Sequence, residues 1–278
     1  MASNPRGFES LASRGQIKHN LNSLMLSLIP IQNIPLIKPG DDLAGILIES
    51  LKDNNLQLIE GDILVLAQKI VSKAENRLVN ITLVEPSQEA RELAKKTDKD
   101  ARVVELMLRE SKAVLRYRPG TIICEHRLGF VCANAGIDHS NVQGLWGESE
   151  DWVLLLPENP DQSAAQIRMR IGNATSVLPG VMIIDSHGRA WRMGTVGVSI
   201  GLAGLPGLVD LRGREDLFGF HLRITQVGAA DELAAAASLV MGQASESIPA
   251  VLVRGFPYPL REGSIKELIR PKDLDLFR

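Results

Sequence analysis

Short, continuous apolar runs recur along the chain, and they constrain its fold more than any other feature. The clearest are DILVLA (62–67), WVLLLP (152–157), VMIID (181–185) and AVLV (250–253). Each has about the length of one strand and gives way to polar or turn-forming residues. Such a run is typical of a strand that is buried on both faces of a sheet. The sequence therefore predicts a sheet with buried central strands.

Helical patterns lie between the apolar runs. Leu43, Leu47 and Leu51 fall on one face of a helix, which the two aspartates at 41–42 are placed to cap. Further helices are expected to begin near residues 87, 100, 163 and 229, and the last of them ends at Gly242. This alternation predicts a mixed α and β fold of the α+β class.

Two segments differ from this pattern. LMLSLIPIQNIPLI (24–37) contains two prolines, which donate no backbone hydrogen bond, so we expect an edge strand that runs into a loop. GTVGVSIGLAG (194–204) is rich in glycine but lacks the spacing of a dinucleotide-binding loop, and we interpret it as a segment of close backbone packing. Residues 1–24 are predicted to be a mobile tail, and no clear domain boundary is visible after them.

The composition excludes several kinds of partner. Lysine and arginine number 31 against 33 aspartates and glutamates, a net charge of −2, so no overall positive field attracts nucleic acid or an anionic membrane. No apolar run approaches the roughly 18 to 20 residues that cross a bilayer. Cys124 and Cys132 lack CxxC spacing, which argues against a disulfide scaffold and a zinc site. We therefore expect a cytoplasmic protein without a membrane span.

Two segments suit a nucleotide. Lys69 and Lys73 lie four residues apart in QKIVSKAE, so their ammonium groups share one side in a helix or a strand and suit a phosphate. The alternative is two ordinary solvated lysines. The loop MGQASES (241–247) contains small residues, including Ser245 and Ser247, that permit close approach to a nucleotide. The alternative here is a loop that only ends a helix.

Two aspartates stand where apolar runs stop. Asp138 lies in AGIDHSN and Asp185 in IIDSHGR. Carboxylates held at strand ends suit magnesium or manganese, and two of them are able to share a metal site. The structural alternative is an Asx turn at Asp138 and a tight turn that begins at Asp185. The neighbouring His139 and His187 lack zinc spacing, so we expect them to line a polar cleft or to face water.

Seven strings, in the same order, resemble a known family. They are NIPLIKPGDDLA (33–44), QKIVSKAE (68–75), GFVCANAGIDHSN (129–141), IIDSHGRAWR (183–192), DLFG (216–219), ADELAAAASLVMGQ (230–243) and DLFR (275–278). Together they resemble the coenzyme F420:L-glutamate ligases, also called gamma-glutamyl ligases. The resemblance implies a catalytic unit over residues 25–278, built as two intertwined lobes of an unusual mixed fold, that assembles as a homodimer.

The resemblance also implies an activity. Family members are GTP-dependent and divalent-metal-dependent enzymes that join L-glutamate to the lactyl carboxylate of a phospho-deazaflavin and then extend a gamma-linked glutamate tail. The expected reaction passes through an acyl phosphate and releases GDP, with Mg²⁺ or Mn²⁺ bound and K⁺ as a further candidate ion. Two competing hypotheses are a related GTP-dependent amide ligase for another acid and a nucleotide-binding regulator without catalysis.

Matching motifs carry the family's site roles to this chain. Lys69 and Lys73 would be catalytic and would hold the nucleotide phosphates together with Gln68. The implied metal ligands are Asp138, Asp185, Ser186 and Gln243, with serine at 186 where threonine is usual. The other implied nucleotide contacts are Ile34, Pro35, Leu36, Ile37, Asn141, Met241, Gly242, Ala244, Ser245, Glu246, Ser247 and Ile248, with Gln243 shared between the two sets.

Overall fold

The computed structural model describes residues 25–276, so the predicted tail and residues 277–278, which end the DLFR string, lie outside it. Its strands and helices are β1 (Ser27–Pro30), α1 (Leu43–Asp53), β2 (Ile63–Ala67), α2 (Gln68–Ala74), β3 (Leu78–Asn80), α3 (Gln88–Thr97), α4 (Ala101–Arg109), β4 (Ser111–Arg118), β5 (Thr121–His126), β6 (Val131–Ala133), β7 (Trp152–Leu154), α5 (Pro160–Thr175), β8 (Gly180–Arg189), β9 (Arg192–Ala203), β10 (Val209–Asp210), β11 (Gln226–Val227), α6 (Ala229–Met241) and β12 (Ala250–Arg254). The α+β class is confirmed.

A five-stranded mixed sheet forms the centre of the fold. Its strand order is β1-β12-β2-β8-β9, and β2 with β8 is its parallel pair. The other neighbours are antiparallel. The apolar runs at 62–67, 181–185 and 250–253 supply the three inner strands, and β1 lies at the edge as its prolines predict.

Helices cover both faces of this sheet. Leu64 and Leu66 of β2 point into a core that α1 and α5 complete, whereas Ile63 and Val65 point into a core that α6 completes. Alternate residues of a strand face opposite sides of its sheet, so a run that is apolar throughout buries both faces. This packing explains why β2 contains no polar residue.

Two glycines of β9 permit the helices to approach the sheet. A Cβ atom on Gly197 would lie 2.5 Å from the carbonyl oxygen of Ala234 in α6, and one on Gly201 would lie 2.3 Å from the Cβ of Pro160 in α5. Both distances are shorter than any tolerated contact, so a larger residue would displace a helix backbone. The interpretation of 194–204 as a close-packing segment is confirmed.

A second core lies in the connection between β2 and β8. Its three-stranded antiparallel sheet, in the order β4-β5-β6, packs one face on α3 and α4 through buried Ile122 and Cys124. The strand pair β3–β7 joins it to α2 and to the start of α5. A parallel strand pair requires a long crossover connection, and here that crossover carries a whole second core.

Most predicted boundaries agree with the structure. Asp42 caps α1, Ser87 caps α3 and Asp100 caps α4 through their side chains. The helix expected near residue 163 begins earlier, at Pro160, because Asn159 caps it and proline suits the first helical position. In residues 25–276 no helix combines the length and the apolar character of a bilayer span.

An ion pair between a buried carboxylate and a partly exposed arginine ties β12 to the start of β2. The carboxylate of Asp62 is fully buried and accepts from the Nε and Nη2 atoms of Arg254 at 2.8 Å each. It also accepts from the backbone N–H of Ile59 at 2.9 Å. The negative charge of the buried Asp62 carboxylate is tolerated because the carboxylate is paired with Arg254 and hydrogen-bonded.

Replacing Arg254 with methionine should lower the free energy of unfolding by about 3 kcal/mol, because the Asp62 carboxylate would stay buried without its partner. Urea denaturation measures the change. The control is Arg212→Met, which removes the same kind of pair with Asp210 at a fully exposed site and should leave the midpoint nearly unchanged. Equal effects of both substitutions would contradict this account.

Candidate functional site

One edge of the central sheet gathers the segments that the sequence singled out. Parallel strands end at the same edge, and β2 and β8 are in register with Ala67 beside Ile184. The residues that follow, Gln68 and Asp185, therefore emerge as neighbours. Asp185 itself lies inside β8, opposite Val198 of β9, so the alternative of a tight turn that begins at Asp185 is wrong.

The antiparallel strands bring two more segments to this edge. β12 starts there, because Ala250 pairs with Leu66, and β1 ends there, because Pro30 pairs with Val251. The loop before β12 and the segment after β1 consequently both border the same space. The backbone N–H of Ala67 donates to the carbonyl of Pro249 at 2.8 Å and fixes the loop's last turn.

The second core delivers Asp138 to the same place. Its backbone exchanges two hydrogen bonds with Leu154 of β7, at 3.0 and 2.9 Å. Its carboxylate accepts from the Nε2 atom of Gln68 at 2.6 Å, and Ser72 donates to the other end of that amide at 2.8 Å. Since the carboxylate bonds to Gln68 and not to Ser140 or Asn141, the Asx-turn alternative for Asp138 is also wrong.

The sequence leaves open whether Lys69 and Lys73 belong to a helix or a strand. They lie on one face of the helix α2. The Nζ atom of Lys69 is 3.3 Å from Asp138 Oδ2 and donates to the carbonyl of Ser140 at 2.9 Å. The Nζ atom of Lys73 donates to the carbonyl of Asn141 at 2.9 Å. Burial lowers the pKa of the Lys73 amine, the charge of Lys69 lowers it further, and Asp138 acts in the opposite direction. The alternative of two ordinary solvated lysines is wrong.

Polar contacts also hold the β8 side of the site. The Oδ2 atom of Asp185 is 3.0 Å from His187 Nε2. Ser186 Oγ donates to Gln243 Oε1 at 2.9 Å, and Gln243 Nε2 donates to Ser238 Oγ at 2.9 Å. Gly242 ends α6 with a positive φ of 74°, which turns the chain so that Gln243 reaches Ser186.

The two aspartates impose an electrostatic cost on one another. Burial raises the pKa of the Asp138 carboxyl, Lys69 lowers it, and the negative charge of Asp185 raises it again. Two carboxylates with a serine hydroxyl and an amide oxygen nearby form an all-oxygen donor set, which is what a hard divalent cation prefers. In the described residues no three His, Cys, Asp or Glu side chains form a metal cluster, so any bound cation would rely on Ser186 and Gln243 as well.

All of these groups face one cleft of about 1990 Å³. The structure places every predicted site residue in its lining, from residues 34–37 through 241–248. The individual roles of these residues stay predictions. The sequence predicts that His139 and His187 line a polar cleft or face water. His187 does line the cleft, whereas His139 lies in a separate small cavity beside Lys99 and Asp100.

Sequence reasoning did not identify several lining residues. Ser140 accepts a second hydrogen bond from Lys69 at its Oγ, and Ser238 orients Gln243. Five arginines also line the cleft: Arg116, Arg118, Arg189, Arg192 and Arg270. The alternation of Arg116 and Arg118 along one strand was a signal that both side chains share a face.

Comparison with known proteins gives one consistent result. The family described as F420-0:Gamma-glutamyl ligase matches residues 32–255. The coenzyme F420:L-glutamate ligase of Methanothermobacter thermautotrophicus is 46% identical over 255 residues, which cover 91% of this chain and 99% of that protein. The protein of the same name from Methanopyrus kandleri is 46% identical over 260 residues, covering 91% and 99%. That from Archaeoglobus fulgidus is 39% identical over 255 residues, covering 92% and 97%.

The raised pKa of Asp138 predicts a pH-dependent cost in stability. Asp138 keeps its proton in the folded protein at a pH where the unfolded chain has lost it, so the folded state loses stability as pH rises between the two pKa values. Asp138→Asn should therefore raise the thermal midpoint at pH 7, and the gain should shrink as pH falls toward about 4, the ordinary range for aspartate, below which Asp138 is protonated in both states.

Differential scanning calorimetry across this pH range measures the effect. The control is Asp273→Asn at an exposed position, which should leave the thermal midpoint at pH 7 nearly unchanged. A lower midpoint for the Asp138 variant at pH 7 would show that the Asp138 charge stabilises the free protein.

Proposed function

The chain belongs to the F420-0:gamma-glutamyl ligase family, and from that premise we propose that it joins L-glutamate to the lactyl carboxylate of a phospho-deazaflavin and extends a gamma-linked tail. GTP is the proposed energy source, and GDP and phosphate are the proposed by-products. The observation that carries the proposal is the meeting of Asp138 and Asp185 with Lys69 and Lys73 in one cleft. An amide bond between two anionic substrates needs such a site.

The chemical difficulty is repulsion between anions. The acceptor carboxylate attacks the gamma-phosphorus of GTP, and neither group approaches the other without positive charge between them. Lys69 and Lys73 provide two ammonium groups on one face of α2. Divalent cations, when bound, supply further countercharge to the phosphate oxygens. Asp138, Asp185, Ser186 and Gln243 are the side chains proposed to hold them, with K⁺ as an additional candidate ion.

The first step would form an acyl phosphate and release GDP. The glutamate amine then attacks the acyl carbon, the amide bond forms, and inorganic phosphate leaves. A water molecule competes with the amine for the same carbon, so the site must keep water away from the acyl phosphate. Asn141 contributes to this closure, since its Nδ2 atom donates to the carbonyl of Ala244 at 3.2 Å and links the second core to the 241–248 loop.

The nucleotide base has an apolar place to bind. Leu36 is 81% exposed within the segment after β1, and Ile34 is half-buried beside it. Both line the cleft that the 241–248 loop also lines. A planar base between an apolar segment and a loop of small residues would lose contact with water on both faces. This arrangement supports residues 34–37 as a guanine-binding segment.

The proposed enzyme acts as a homodimer. Exposed apolar side chains concentrate in the β8–β9 turn, at Trp191 and Met193, and in the 211–225 connection, at Leu217 and Phe218. Each is at least 90% exposed in the single chain. Apolar exposure of this extent is typical of surfaces that a partner covers.

Sedimentation equilibrium should give twice the chain mass for the unmodified protein. The double substitution Leu217→Ser and Phe218→Ser should shift the protein toward the single-chain mass, because it removes apolar area from the proposed contact. Leu239→Ser, at another exposed leucine on α6, is the control and should leave the mass unchanged. A single-chain mass for the unmodified protein at micromolar concentration would exclude the dimer.

Mass spectrometry of a reaction with GTP, Mg²⁺ or Mn²⁺, L-glutamate and the unglutamylated phospho-deazaflavin should show added glutamyl units. Lys73→Gln should reduce the rate by about a hundredfold or more, because a charge that stabilises the transferred phosphoryl group is lost. Lys96→Gln, at an exposed position of α3, should react as the unmodified protein does.

Other outcomes identify the competing hypotheses. GTP consumption with a different acid but not with the deazaflavin would indicate a related amide ligase. Tight GTP binding with no product from any tested acid would indicate a regulator. GTP hydrolysis that neither acceptor nor glutamate changes would contradict the proposed reaction.

A further inference from the structure

The three-stranded sheet of the second core has two different faces. Ile122 and Cys124 of β5 are buried against α3 and α4. On the other face, Ile123 of β5 and Val131 of β6 line the cleft, and Val131 is 38% exposed. Glu125, which pairs with Val131 on this face, is buried, pairs with Lys272 and does not line the cleft. An apolar sheet face that opens into a cleft offers a flat surface for a flat, apolar group.

Arginines flank this apolar face. Arg116 and Arg118 are two residues apart on β4, so they project to the same side, and both line the cleft. A second pair, Arg189 and Arg192, stands at the turn between β8 and β9 and lines the cleft as well. We call these four residues the arginine arm.

Among the described residues the arginine arm has no acidic partner. Across residues 25–276 no ion pair joins Arg116, Arg118, Arg189 or Arg192 to a carboxylate, and Arg189 donates only to the carbonyl of Met193 at 3.1 Å. Most other arginines of the chain do have such partners, as Arg77 does with Glu110 and Arg254 does with Asp62. Exposed arginines without internal partners keep their donors available for a ligand.

The charge of the cleft differs in sign from that of the chain. Among the described lining residues, eight lysines and arginines face four aspartates and glutamates, although the chain carries a net charge of −2. Two of the four acids, Asp138 and Asp185, belong to the proposed metal site, and Glu246 folds back onto the N–H of Ala244. Asp275 also lies in the lining. Positive charge is thus concentrated locally in a protein that is acidic overall.

The arm adjoins the site of the proposed phosphoryl transfer. Phe130, just before β6, packs against the ring of His187 with centroids 5.4 Å apart, and His187 contacts Asp185. The cleft of about 1990 Å³ is roughly twice the upper size of an ordinary small-molecule site. It has room for a second ligand beside a nucleotide that Lys69 and Lys73 would hold.

We propose that the arginine arm and the adjoining apolar sheet face bind the acceptor. Ile123 and Val131 contact its planar ring, and Arg116 and Arg118, of which Arg116 pairs with Ile123 across the strands, hold its phosphate and carboxylates. This inference rests on the proposed function, because it assigns the acceptor of that reaction to a place in the cleft. Arginine suits both groups, since its planar fork donates two parallel hydrogen bonds to a phosphate or a carboxylate.

The length of the glutamate tail should depend on these arginines. The reacting carboxylate must stay near Asp138 and Asp185, so with the ring held on the sheet face each glutamyl unit already added has to be accommodated between the ring and these aspartates. Each unit also adds one carboxylate that needs a cationic partner. Removing arginines should therefore impair the addition of later glutamates more than the addition of the first.

The test uses the double variant Arg116→Gln and Arg118→Gln. The control is Lys112→Gln on the same strand, which removes an exposed charge that does not line the cleft. Equilibrium dialysis should show at least about tenfold weaker binding of the unglutamylated acceptor to the double variant, as expected for lost charge-assisted hydrogen bonds. GTP affinity should change less than about twofold, and the control should match the unmodified protein in both measurements.

Two additional measurements separate the ring from the anionic groups. A deazaflavin that lacks the phosphate and its tail should bind equally to the unmodified protein and the double variant. Added salt should weaken acceptor binding to the unmodified protein more than to the double variant, because salt screens the arginine charges. Mass spectrometry should show shorter tails from the double variant.

Unchanged acceptor affinity in the double variant would overturn the inference, and so would an equal loss of GTP affinity, which would assign the arm to the nucleotide. These results are separable from failure of the proposed function. If the unmodified protein binds the acceptor through the arm but forms no product, the function fails and the inference holds. If product forms equally well with and without the arginines, the inference fails and the function holds.

Discussion

The parallel pairing of β2 with β8 is the constraint on which the rest of the structure depends. Two parallel neighbours end at the same sheet edge and cannot be joined by a short turn. The register that sets Ala67 beside Ile184 makes Gln68 and Asp185 neighbours, and the long crossover between the strands has to be filled. It is filled by a second core, whose return to the edge brings Asp138 opposite Asp185. The site is thus a product of topology before any side chain is considered.

Burial shifts the pKa values of Asp138 and Lys73 in opposite directions. It raises the pKa of Asp138 and lowers the pKa of Lys73, so both groups are less stable as charges than they would be in water. A ligand that brings cations to the aspartates and phosphates to the lysines relieves both penalties together. The free protein gives up some stability at this edge, and the apolar core behind it compensates.

The sequence predicts features that depend on neighbouring residues better than features that depend on distant ones. The buried strands, the caps at Asp42 and Ser87, and the close packing at Gly197 and Gly201 follow from local pattern and residue size. The convergence of residues 34–37, 68–73, 138–141 and 241–248 required the family resemblance, because no local pattern specifies strand order. The arginine arm was missed because its two pairs of arginines come from strands about seventy residues apart, and each arginine alone reads as ordinary surface charge.

The contacts of Lys69 and Lys73 couple ligand binding to the position of the second core. Both ammonium groups donate to backbone carbonyls that closely follow Asp138 in the chain, Lys69 to that of Ser140 and Lys73 to that of Asn141. An ammonium group has three donors, so each lysine is able to keep its carbonyl and also hold a phosphate oxygen. A bound phosphate would then be bridged through α2 to the backbone next to Asp138. Because Asn141 also bonds to the 241–248 loop, closure of that loop, phosphate binding and placement of the aspartate depend on one small set of hydrogen bonds.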